Sequence, residues 1–166
     1  MTIANTYSDN EVVGNPGMPN LHPGHVRVVN SGEGATRTLL ASESGAQCLF
    51  DRAAGIVYTL PVTANIGTYY DFLTTVSITS NSAKVITGSA SQFLVGGVIF
   101  GSATLAEGGG LFAVNGTTIV AISSNGSTTG GLIGSSYRLT KLSDTVWGIS
   151  GICAGSGVTI TPFATS

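Results

Sequence analysis

The chain has 166 residues, of which only 8% are charged; six Lys and Arg face eight Asp and Glu, for a net charge of −2. Binding nucleic acid directly requires clustered Lys and Arg to neutralise phosphates, and no basic stripe exists here. With 42% hydrophobic residues and 24 glycines, the chain can bury a core but has few groups for chemistry, so we expect no enzyme and no cofactor.

Met1-Thr2-Ile3-Ala4-Asn5-Thr6-Tyr7-Ser8 lacks the positive region and apolar run of a secretory signal. Residues 1–35 read as an extended N-terminal arm, distinct from a β domain over residues 36–166. Asn15-Pro16-Gly17, Met18-Pro19-Asn20, His22-Pro23-Gly24-His25 and Ser31-Gly32-Glu33-Gly34 together forbid a helix. Within the arm only residues 26–29 suit a strand. His22 and His25 are the only histidines, and a metal site needs further ligands, so this motif reads as a turn.

From Thr36 onward, short β-branched runs alternate with turn signals. Strands are predicted over residues 36–41, 47–52, 55–62, 70–79, 83–87, 93–100, 111–114, 117–122, 136–142, 145–152 and 158–162. Such spacing predicts an all-β fold: an antiparallel β-sandwich or barrel, jelly-roll-like, with no helix. Cys48 and Cys153 lie in apolar runs and read as buried free thiols. Asp51-Arg52 reads as a turn at a strand end. In 72–79, Phe72, Val76 and Ile78 share one face and Leu73, Thr75, Ser77 and Thr79 the other. Tyr58 and Tyr69-Tyr70 are read as packing residues, with a sugar-binding platform as the competing assignment.

The longest apolar stretch, 93–105, is too short and too glycine-broken to span a bilayer. Gly96-Gly97, Gly108-Gly109-Gly110 and the loop 125–131 suggest close backbone approach, which we expect at a subunit interface. Val114-Asn115-Gly116-Thr117 is the strongest hairpin signal, with Phe112 facing Ile119 and Leu111 facing Val120. Both faces of that hairpin are apolar, which suits a covered strand pair or a subunit contact. A second hairpin is expected at Ser143-Asp144, placing Trp147 and Ile149 on one face. The candidate contact residues are therefore Val26 and Val28 in the arm, Phe93, Leu94, Val98 and Phe100 in the apolar stretch, Phe112, and Leu132.

Catalytic patterns are weak. A Ser-His-Asp arrangement would depend on the two histidines of the arm. Glu43, Asp51, Asp71, Glu107 and Asp144 are the acids of the β region, none in a context typical of paired carboxylates. Gly130-Gly131-Leu132-Ile133-Gly134 lacks the Lys and Ser/Thr of a phosphate loop. Asn115-Gly116-Thr117 and Asn125-Gly126-Ser127 match the glycosylation pattern, but turn chemistry accounts for them.

Three stretches carry a resemblance: Leu49-Phe50-Asp51-Arg52-Ala53-Ala54-Gly55-Ile56-Val57-Tyr58-Thr59-Leu60-Pro61, then 76–87, and Asn125-Gly126-Ser127-Thr128-Thr129-Gly130-Gly131-Leu132-Ile133-Gly134. With the closing Thr161-Pro162-Phe163-Ala164-Thr165-Ser166, they resemble a module that recurs in tailed-bacteriophage virion structural proteins, several of them head decoration or cement proteins. The resemblance implies a virion component made in the host cytoplasm and seated on the capsid exterior. Its implied partners are the major capsid protein and further copies of itself, as a homotrimer, with no nucleic acid and no membrane. The alternative is a tail-fibre or receptor-binding module recognising host glycans through Tyr and Asn/Ser-rich loops.

Overall fold

The computed structural model describes residues 28–29, 34–102 and 109–166. Val26, His22, His25, Glu107 and most of the expected arm lie outside the described residues.

The described residues form twelve strands: β1 (Val28–Val29), β2 (Thr36–Thr38), β3 (Gln47–Phe50), β4 (Val57–Thr59), β5 (Tyr69–Thr74), β6 (Ala83–Ile86), β7 (Phe93–Ser102), β8 (Gly110–Asn115), β9 (Ala121–Ser124), β10 (Ser136–Ser143), β11 (Val146–Gly155) and β12 (Phe163–Ala164). The only helical element among the described residues is a 3-10 turn at Ala41–Glu43. One sheet has seven strands in the order β1-β3-β5-β10-β11-β7-β8, and the other has five in the order β12-β9-β6-β4-β2. The two sheets pack face to face as a sandwich. Among the described residues each keeps two free edges, so their strands form no closed barrel.

The all-β expectation holds, but the antiparallel one does not, because both sheets are mixed. From β1 to β7 the chain alternates between sheets, so every return to a sheet runs in the same direction as the previous visit. β1, β3 and β5 are consequently parallel neighbours, as are β2, β4 and β6. Each turn of this two-sheet coil advances between 19 residues, from Val28 to Gln47, and 27 residues, from Val57 to Lys84. Short corners make the crossings; at one of them Gly55 N donates to Arg52 O at 3.0 Å, the turn expected after Asp51. Antiparallel hairpins form only where the chain stays in one sheet, at β7–β8 and β10–β11.

The core lies between the sheets and is rich in aromatic side chains. Tyr58 of the five-stranded sheet sits edge-on to Phe50 and Phe72 of the seven-stranded sheet, with centroids 5.4 and 5.6 Å away. Its hydroxyl donates to Leu49 O at 2.7 Å, so one side chain ties the layers by both packing and a hydrogen bond. Tyr137 stacks on Phe72, and Tyr70 lies against the fully buried Trp147. Tyr58 and Tyr70 are thus packing residues. Cys48 and Cys153 are buried free thiols. Strands β5 and β10 separate them, and three strand spacings of about 4.8 Å exceed the roughly 7 Å limit for a disulfide.

Three expectations about register need correction. The Asn115-Gly116 hairpin does not form: β8 pairs back onto β7, with Phe112 opposite Val98 and Leu111 opposite Ile99. The segment after Gly116 crosses to the other sheet instead. A type I′ turn needs positive φ at both central residues, and here only Gly116 has it, at 81°. Asn115 Oδ1 accepts from Thr117 N and Thr117 Oγ1, an Asx turn that aims the chain across the sandwich. The strand over 70–79 stops at Thr74, where Thr75 N and Val76 N both donate to Phe50 O, and Val76 is left exposed rather than in the core. The last strand lies at Phe163–Ala164 rather than over 158–162. By contrast β10 and β11 form the expected hairpin, with an irregularity between Lys141 and Ser143, and Trp147 and Ile149 share the inward face. No helix among the described residues is long and apolar enough to cross a membrane.

Candidate interaction surface

Alternation along the strands of the seven-stranded sheet sends every second side chain away from the core. The pairing register aligns those side chains into rows running across the strands. One row contains Leu111 of β8, Ile99 of β7, Ile152 of β11, Ser136 of β10, Leu73 of β5 and Leu49 of β3. Six strands at about 4.8 Å give the row a length of roughly 24 Å. At the β8 end it is most open: Leu111 is 71% exposed, Ile99 58% and Ile152 53%. The neighbouring row holds the small residues Ala113, Gly97 and Ser150, followed by Arg138 and Asp71. Large apolar side chains therefore stand beside low ground.

The charge on this face is internally paired. Arg138 Nε and Nη2 donate to the two carboxylate oxygens of Asp71 at 2.7 and 2.8 Å, across the β5–β10 ladder. The guanidinium lies 4.4 Å above the Tyr69 ring. Hydrogen bonding to Asp71 raises the Arg138 pKa further, so the guanidinium stays charged at any ordinary pH. The surface chemistry is thus an apolar row, a strip of small residues and one fixed ion pair. That combination suits contact with another protein surface.

The residues expected from sequence to make contacts fall in different places. Leu94, Val98 and Phe100 are on the inward face of β7 and fully buried, which leaves Ile99 between them as the exposed large apolar residue of this strand. Phe112 is half-buried and packs edge-on against Phe100 at 6.2 Å. Phe93 and Leu132 are half-buried, at the start of β7 and in the connection before β10. Val28 pairs with Gln47 at the outer edge of the sheet. Gly96 and Gly97 do allow close approach, but within the chain: a Cβ at Gly96 would strike Ile149 O of β11, and one at Gly97 would lie 2.5 Å from Phe112 O of β8.

Ile99, Leu111 and Ile152, the exposed apolar residues of this face, are not among the candidate residues named from sequence. For Ile152 the signal was present. In β11 it is out of phase with Trp147 and Ile149, whose bulk marks the inward face. In β7 the run Phe93-Leu94-Val95 and Val98-Ile99-Phe100 is apolar on both faces, so its pattern does not identify the outward side. Compared with known families and with characterised proteins, the chain matches no family model and no characterised sequence.

Proposed function

We propose that this chain is a virion component of the head-decoration type, a cement protein that binds the outer surface of a tailed-phage capsid and adds contacts between major capsid proteins. The observation that carries the reading is the open apolar row of Leu111, Ile99 and Ile152 beside β8, the edge strand of the sheet among the described residues. Covering the exposed part of each side chain gives about 1 kcal/mol, half the value of full burial. A few kcal/mol per copy is modest, but it is repeated over a shell and acts only on the assembled state, which is how ligation stabilises a structure. Self-association as a homotrimer would extend the same contact between copies. The resemblance to phage structural modules supplies the setting, and the surface supplies the contact.

Immunogold electron microscopy of virions from the phage that encodes the chain, using antibody against residues 36–166, tests this. Gold over the head supports decoration; gold confined to the tail tip replaces it with the receptor-binding reading, and unlabelled virions remove both. Ile99→Asp with Leu111→Asp should leave the fold intact and reduce head occupancy. Unchanged occupancy would show that the contact lies elsewhere.

A further inference from the structure

At one end of the sandwich, away from the apolar row, a recess of about 440 Å³ opens between the connection after β4 and the β10–β11 turn. Its walls are Ala41, Val62, Thr63, Ala64, Asn65, Lys141 and Asp144. The size falls within the range of small-molecule sites.

Lys141 is the unusual member, a lysine only 1% exposed. Long cationic side chains normally snorkel to water, so burying one requires a reason. Its Nζ donates to Asp144 O at 2.9 Å and stands 5.0 Å from the centre of the Trp147 ring. An ammonium has three protons. One goes to the carbonyl and one to the ring face, and among the described residues no acceptor takes the third. Burial lowers the Lys141 pKa, and Asp144 opposes that shift.

The walls are fixed by a second buried side chain. Gln92 Nε2 donates to Val62 O at 2.8 Å and to Asp144 O at 3.2 Å, one carbonyl from each wall. Gln92 Oε1 accepts from Trp147 Nε1 at 3.4 Å. The recess is therefore held open before anything enters it, which lowers the cost of binding.

We propose that this recess binds a monosaccharide unit of a glycan. A sugar hydroxyl both donates and accepts, and this lining offers complementary groups at close quarters: the Lys141 ammonium donates, the Asp144 carboxylate accepts, and Thr63 and Asn65 do both. Val62 and Ala64 supply apolar wall for the C–H face of the ring. The site is separate from the outward sheet face and does not depend on the capsid reading.

The test uses the full chain and simple methyl glycosides: a neutral hexoside, an N-acetylhexosaminide and a uronide, followed by saturation-transfer NMR. At least one should bind more tightly than about 10 mM. Thr63→Val and Asn65→Ala alter exposed rim residues and should each weaken binding roughly five- to tenfold, the effect of one lost hydrogen bond, with the melting temperature unchanged. Lys141→Met should abolish binding, and Ile99→Asp should not affect it. No binding by any of the three glycosides would overturn the proposal, as would binding that Thr63→Val and Asn65→Ala leave unchanged.

Discussion

Removing the hydroxyl from two tyrosines of the same core should have opposite effects on stability. Tyr58 and Tyr137 are both buried, and both pack against Phe50 and Phe72. Tyr58 Oη donates to Leu49 O at 2.7 Å, with Val29 O farther away at 3.4 Å. Tyr137 Oη is buried without a partner among the described residues. Tyr58→Phe keeps the ring but leaves a carbonyl without its donor, which costs about 1–2 kcal/mol. Tyr137→Phe removes a hydroxyl that was desolvated without compensation and should stabilise the protein by about 1 kcal/mol. At this chain length 1 kcal/mol moves the melting temperature by about 2–4 °C, so the two variants should differ by roughly 4–12 °C. Urea melts at pH 7 give the same comparison, with an unchanged m-value as evidence that the unfolded states match. The reasoning fails if Tyr137→Phe destabilises as much as Tyr58→Phe, because the Tyr137 hydroxyl would then have a partner in solution.

Alkaline pH should unfold the protein early. Burial pushes the Cys48 and Cys153 thiols from the ordinary 9.0 up to about 12, and it raises the phenols of Tyr58, Tyr70 and Tyr137 above 10.0. All five lose their protons more readily when unfolded, so the stability they contribute is complete below pH 9 and declines as pH rises toward 12. Each thiol costs about 1.4 kcal/mol per pH unit in that window, and Cys48→Ala/Cys153→Ala should flatten the decline seen in urea melts from pH 8 to 11. Gln92→Leu takes the partner from Trp147 Nε1 and from the Val62 carbonyl, while Asp144 O keeps the Lys141 ammonium, a loss of about 2–4 kcal/mol measurable by denaturation. A change below 1 kcal/mol would mean that water replaces the amide.

Strand positions were legible because β-branched runs bounded by glycine, proline and asparagine mark them locally. The runs at 47–52 and 83–87 contain observed strands, and those at 93–100, 136–142 and 145–152 overlap strands that run one to three residues further. Strand partners were not legible in the same way. Alternation tells which residues share a face; it does not tell whether the next strand folds back beside the first or crosses to the opposite layer. Where the chain does fold back, as after β10, the hairpin was readable, although its turn falls at Asp144-Thr145, one residue beyond the expected Ser143-Asp144. At Asn115-Gly116 the dipeptide was right but Asn115 spends its side chain on an Asx turn, and a local signal pointed to the wrong partner. Lys141 was invisible for a related reason: in Arg138-Leu139-Thr140-Lys141 it looks like a solvated charge, and only the irregularity after it and the Trp147 ring across the ladder give it an interior place.

Glycines in β7 and β8 meet two different demands, and separating them sharpens the surface reading. Gly96 and Gly97 are required by neighbouring backbone within the chain, so their absence of side chain says nothing about partners. Gly101 is different. It pairs with Ala154 just beyond the Ile99–Ile152 pair, is exposed, and a Cβ there would meet nothing within 4 Å among the described residues. Among the described residues nothing requires a bare backbone at this point, and a β-branched residue would better suit a strand. Gly101→Val should therefore leave monomer stability unchanged or raise it by up to about 1 kcal/mol. If the outward face docks flat against a protein surface, the same substitution should lower capsid occupancy while thermal melts show no loss. Loss of stability would instead assign Gly101 to folding, and full occupancy would place the contact on another part of the molecule.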